Sequence, residues 1–266
     1  MKTVELNAKI SGDSHNPPLI IMHGLFGSSR NWSQLADKFA EDYQVYVVDL
    51  RNHGESPHVQ GMDYPAMAAD LSALMTAHKI QNATVLGHSL GGKVAMWLAL
   101  TQPDCVRRLI VIDIAPVHYA HDFNEIFRGI QSVPLQTIVS RGQVDSYLAK
   151  HISEPAIRQF LLQNLVNREG QYTWRIPFNF LEQAILEIMG FPETSHIKPC
   201  IQPALFIAGG RSDYLLVKHH ETINSLFPNH TIKTIENAGH WVHAEQPQQV
   251  FDVVHQFCTE PANLIE

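Results

Sequence analysis

The sequence predicts an α/β fold: a mostly parallel central sheet with helices on both faces, and a helical cap inserted after the strand that ends near Asp113. Three observations lead there. Short continuous apolar runs such as LIIM and LIVI recur, as strands buried on both faces require. Segments with apolar residues at helical spacing alternate with them, the signature of a wound sheet with right-handed crossovers. That alternation stops after Pro116 and resumes near residue 199.

Taken in order, TVELNAKI alternates apolar and polar residues and reads as an edge strand. SGDSHNPP is a break, and LIIMHG a buried strand. SSRNWSQLADKFA sets Trp32, Leu35, Ala36 and Phe39 on one helical stripe, with Ser28 or Ser29 as its N-cap. YQVYVVDL is a buried strand ending at Asp49. Met67, Leu71, Leu74 and Met75 mark the next helix. ATVLGHS is a strand, GGKVAMWLALTQP a helix stopped at Pro103, and RRLIVIDIAP a strand ending at Asp113. Residues 116–198 show helical patterns but no buried strand, so they are read as the cap. PALFIAGG, HTIKTIENAG and a last helix carrying Val250, Val254 and Phe257 complete the core, which then comprises residues 1–115 and 199–266.

Composition narrows the function. A chain of 266 residues with 45% hydrophobic and 17% charged content can bury a large core. A net charge of −7, with no dense Lys/Arg run, argues against a nucleic-acid partner. No run of 18 apolar residues appears, so no membrane span is expected. Cys105, Cys200 and Cys258 are odd in number and lack C-x-x-C spacing, and the opening MKTVELNAKI has no apolar leader core. Reduced thiols in a cytoplasmic protein, with no metal and no cofactor, are the expectation.

The chemistry centres on GHSLGG. Gly87-His88-Ser89-Leu90-Gly91 fits G-x-S-x-G, and it has the strand before it and the helix after it that this motif needs. In so sharp a turn side chains at Gly87 and Gly91 would collide with their neighbours, and Ser89 is pushed outward at the C-terminal edge of the sheet, at a helix N-terminus that favours negative charge. A serine hydroxyl needs a base. Among 16 histidines, His240 in NAGHWVHAEQP lies between the last strand and the last helix, at the same edge, with His243 as its local competitor. The acid is either Asp113, after the strand that follows the nucleophile helix, or Asp213 in GGRSDYL. Two backbone donors complete such a site: the N–H of Leu90, and that of Leu25 in HGLFG with Phe26 next. His23 is expected to brace that loop.

Together, HGLFGS, VVDLRNHGES, GHSLGGK, VIDIAPV and GHWVHAEQP resemble the α/β-hydrolase superfamily, and more narrowly the YbfF-type bacterial esterases and their mitochondrial relatives. The resemblance covers nearly the whole chain. It implies the α/β-hydrolase fold and favours Asp113 over Asp213 as the acid, because that group carries serine, here Ser212, where most relatives have the acid. Ser212 would then bond the acid or the histidine. The Arg51-Asn52-His53-Gly54 turn would brace the oxyanion loop, with Asp49 and Arg51 able to pair locally.

The activity expected is a serine hydrolase that cleaves small-molecule esters or thioesters of small to medium acyl groups. A carbon–carbon bond hydrolase or cofactor-free peroxidase-like enzyme would share the same three residues, and a non-catalytic ligand-binding protein would keep only the fold. Phe123, Phe127, Trp174, Phe178 and Phe180 are candidates for an apolar acyl pocket or for packing within the cap.

Overall fold

In the computed structural model, which describes residues 2–260, the chain builds a seven-stranded sheet. The first strand, β1 (Ala8–Ser11), is short, exposed and antiparallel, the edge position its alternating pattern suits. It is followed by β2 (Pro18–Met22), a 3-10 turn over Ser29–Trp32, α1 (Ser33–Phe39) and β3 (Gln44–Val48). Then come α2 (Tyr64–Ala77), β4 (Ala83–His88), α3 (Leu90–Thr101) and β5 (Val106–Ile112). Between β5 and the next strand of the sheet lie α4 (Asn124–Gln131), α5 (Arg141–Leu148), α6 (Pro155–Leu162), β6 (Leu165–Arg168), β7 (Gln171–Trp174), α7 (Phe178–Gln183) and α8 (Ile185–Met189). The chain rejoins the sheet through β8 (Ala204–Gly209), α9 (His220–Leu226), β9 (His230–Ile235), α10 (Val242–Glu245) and α11 (Pro247–Thr259).

Strand order is β1-β3-β2-β4-β5-β8-β9, and every pair after β1 is parallel. Register places the site. Met22 pairs with Gly87, His88 with Ile112, Ile112 with Ile207 and Gly209 with Ile235. Strands β2, β4, β5, β8 and β9 therefore end along one edge, and the loops that follow them converge there.

The sheet is buried on both faces. Leu19, Ile20, Ile21 and Met22 are all fully buried, Ile20 and Met22 against α2 and α3, Leu19 and Ile21 against α1 and α11. Each such side chain contributes about 1.5–3 kcal/mol. The stripe of Trp32, Leu35, Ala36 and Phe39 is buried against the second of these layers.

Two local expectations change. The inserted segment contains an antiparallel hairpin, β6–β7, closed by Glu169 and Gly170, both at positive φ. Its strands are short and partly exposed, so they lack the apolar run by which strands of the main sheet announce themselves. Arg51 does not pair with Asp49. It makes a buried two-pronged pair with Asp70 on α2, at 2.6 and 2.8 Å, while Asp49 accepts from the amides of Ser29 and Glu55 and from Asn7. Burial would raise the Asp49 carboxyl, but those donors outweigh it and hold it below the ordinary carboxylate value.

The three cysteines are free thiols. Among the described residues no helix is long and apolar enough to cross a membrane.

Candidate active site

Ser89 occupies the corner between β4 and α3 with φ 52° and ψ −116°, a conformation L side chains rarely adopt. The corner is possible because of its glycines. A Cβ on Gly87 would lie 2.2 Å from the Gly91 carbonyl oxygen, and one on Gly91 2.7 Å from that of His23. The strain is held by the Ser89 N–H donating to Ile112 O and the Gly91 N–H donating to His23 O.

Across from it, His240 Nε2 lies 3.1 Å from Ser89 Oγ, and His240 Nδ1 lies 2.7 Å from Asp113 Oδ2. Asp113 is fully buried at the end of β5 at positive φ, and its other oxygen accepts from the Gly209 N–H at 2.9 Å. Ser212 Oγ donates to the same Oδ2 that faces His240. With Nδ1–H directed at a carboxylate, Nε2 is left as an acceptor for the serine proton. This arrangement can make an alkoxide-like nucleophile and store its proton on the imidazole.

Asp213 is not in this network. It is exposed and borders a separate surface hollow beside His118 and His219. The loop after β8 turns Ser212 inward, so the neighbouring residue faces out.

The loop after β2 supplies amides. The Phe26 N–H donates to His53 Nε2 at 3.0 Å, whereas the Leu25 and Leu90 amides have no hydrogen-bond partner among the described residues. His23 braces the loop from below: it bonds Gly24 O at 2.8 Å through Nδ1 and receives the Leu50 N–H at Nε2. His53 bonds Arg51 O through its Nδ1. Burial keeps both rings neutral, His53 being pushed down to about 3 and His23 below its ordinary value. From the insertion, buried Asn164 donates to Phe26 O at 2.8 Å, so Phe26, at φ 63°, is held on both sides of its backbone.

Several contributors are not evident from motifs. His88 Nε2 lies 2.8 Å from the His240 carbonyl oxygen, so the residue beside the serine also holds the loop that carries His240. Burial drives the His88 imidazole well below its ordinary value and keeps it neutral. His243, the local competitor of His240, stacks on Trp32 at 4.3 Å and 8°. Tyr214 lies flat on His240, and His121 covers its other face at 4.4 Å and 4°.

Above Ser89 opens a cleft of about 420 Å³, lined by Phe26, Phe123, Ile126, Ile157, Phe160 and Trp241 among others. Of the five aromatic residues expected from the insertion, Phe123 alone borders it. Phe127 and Phe178 are buried against Phe26, Trp174 packs on Phe178, and Phe180 borders a different hollow. The helical pattern around Phe160 and the tryptophan beside His240 were the available signals for the rest of the lining.

A wound sheet that ends its central strand on a strained serine corner is the architecture of a hydrolase. The chain belongs to the alpha/beta hydrolase fold family, whose model matches residues 17–247. It is 40% identical to the sn-1-specific diacylglycerol lipase ABHD11 of Mus musculus over 93% of this chain and 83% of that protein. It is 37% identical to esterase YbfF of Escherichia coli (strain K12), over 97% and 99%. Among solved structures it resembles a marine microorganism esterase with a TM-score of 0.91 and 37% identity, covering 96% and 100% of the two chains.

Proposed function

We infer that the protein is a serine esterase working through an acyl-enzyme on Ser89, with residues 116–198 as the cap over its site. The observation that carries this reading is the chain of hydrogen bonds from Ser89 through His240 to Asp113. Ser89 attacks the ester carbonyl as His240 takes its proton. Asp113 holds the imidazole tautomer and balances its charge, and Ser212 and Gly209 hold Asp113. The developing oxyanion is met by the Leu25 and Leu90 amides. His240 then protonates the leaving alcohol, and water repeats the sequence on the acyl-enzyme. The names of the relatives, an esterase and a diacylglycerol lipase, support ester bonds as the target.

The test is covalent. A fluorophosphonate should add one adduct, located on Ser89 by peptide mass spectrometry, and Ser89→Ala should abolish both the adduct and ester turnover. A folded protein that binds esters without releasing alcohol would be a binding protein instead, and preferred cleavage of vinylogous diketones would make it a carbon–carbon bond hydrolase.

A further inference from the structure

Lys93 is a charged side chain with only 2% of its surface exposed. It stands on the first turn of α3, and its amide donates to the Ser89 carbonyl at 3.1 Å. Among the described residues no carboxylate pairs with it. Burial works against its charge and pushes it down to about 7.

What meets the ammonium is backbone. Nζ donates to Val117 O at 2.9 Å, Met189 O at 3.1 Å and Gly190 O at 2.5 Å, which uses all three of its protons. The rings of Tyr119 and Tyr64 lie 4.8 and 5.7 Å from it. The three carbonyls belong to two stems: Val117 follows the end of β5, and Met189 and Gly190 end α8. The last carbonyls of a helix have no partner within it. Those of α8 are met from outside: Ile188 O by the Tyr64 hydroxyl on α2, Met189 O by the Tyr119 N–H at 2.9 Å and by Lys93, and Gly190 O by Lys93.

We propose that Lys93 is a positioning residue, a clasp that holds both ends of residues 116–198 to the nucleophile helix and so sets where that segment sits over Ser89. The inference rests on the reading above of Ser89 as nucleophile and of the segment as cap. For Val117 O and Gly190 O the ammonium is the only donor among the described residues. Without it they need water, which the packed stems admit only by parting. Phe123, Ile126, Ile157 and Phe160 reach the cleft from the clasped segment, whereas Ser89, Asp113 and His240 stand on the core. Loosened stems should therefore weaken the grip on a bulky ester and spare bond cleavage in a small one.

The experiment compares nitrophenyl acetate with nitrophenyl octanoate, with rates expressed per serine titrated by a fluorophosphonate so that misfolded protein does not count. Lys93→Met should raise KM for the octanoate roughly tenfold, the scale of one lost charge-assisted hydrogen bond, and keep kcat for the acetate within about threefold. Lys93→Gln, which retains two protons, should fall between. Tyr64→Phe, which frees Ile188 O alone, should raise the same KM by less, and its effect should shrink in the Lys93→Met background because both hold one end of α8. Equal losses on the two esters, or an unchanged KM for the octanoate, overturn the clasp. If Lys93→Met does not fold, an unchanged KM in both Lys93→Gln and Tyr64→Phe overturns it. Should wild-type Ser89 take no adduct, the esterase reading falls, and hydrogen exchange judges the clasp by itself. Lys93→Gln should then speed exchange at the Tyr119 and Gly190 amides by about tenfold and leave β4 and β5 as protected as before, and unchanged exchange at those two amides overturns it.

Discussion

The ring of Tyr214 lies against the imidazole of His240, centroids 3.8 Å apart and planes within 21°. The tyrosine is itself fixed: its carbonyl accepts the Tyr119 hydroxyl at 2.5 Å, and its amide donates to Ser212 Oγ at 3.3 Å. An aromatic face over an imidazole restrains its rotation and so holds Nε2 towards Ser89. Tyr214→Phe should therefore keep kcat within about twofold, and Tyr214→Leu should lower kcat by roughly 3- to 30-fold. Steady-state kinetics on a neutral ester with separate kcat and KM values checks this; a loss confined to KM would assign Tyr214 to substrate binding.

The choice of acid is open to direct measurement. Asp113→Asn should lower kcat by about 10⁴, the scale on which loss of the orienting carboxylate acts in other serine hydrolases. Asp213→Asn should leave kcat unchanged, because that side chain faces solvent. Ser212→Ala removes one of the donors to Asp113 and should cost about tenfold. Equal losses for the Asp113 and Asp213 variants would refute this order.

Acid should destabilise the fold before it protonates most carboxylates. His53 and His243 are buried, and burial pushes both down to about 3. The unfolded chain takes up these protons near the ordinary histidine value of about 6.5. A depressed folded-state value means the stabilisation is complete above about 6.5 and is lost as pH falls towards 3. Thermal unfolding across this window should show Tm falling with pH, and His243→Phe, which preserves the stack on Trp32, should flatten the dependence.

The turn after β3 rests on a buried ion pair. Arg51 and Asp70 are nearly inaccessible to solvent, and Asp70 also accepts the Val4 N–H at 2.8 Å. Asp70→Ala leaves a buried guanidinium without its anion and should cost about 3–5 kcal/mol in urea unfolding. A change below about 1 kcal/mol would mean that Arg51 finds water on mutation.

Much of this was written in the primary sequence, for identifiable reasons. The order of strands and helices follows from apolar runs such as Leu19–Met22, because a parallel sheet must be dry on both faces. Ser89 directly follows β4 and His240 lies in the loop after β9, and the order of strands and helices places both loops on one edge. The β6–β7 hairpin was hidden because its strands are half-exposed and polar. The partner of Arg51 was hidden because Asp70 approaches only when α2 packs, and the stacks on Tyr214 and Trp32 depend on loop paths that no periodicity encodes. The cleft mixes residues from six separate segments, so its lining was the least legible feature.

The bond from Asn164 to Phe26 joins residues 138 positions apart, and Asn31 and Gln163 make a second tie between the same two regions at 2.8 Å. The segment between β5 and β8 is thus not an interchangeable module. A chimera that borrowed residues 116–198 from a distant relative would import a new substrate ceiling and, at the same stroke, deprive the loop after β2 of the amide that sets its shape. Substrate range and turnover rate would then change together, because the stretch that brings Phe160 to the cleft also brings Asn164 to the Phe26 carbonyl.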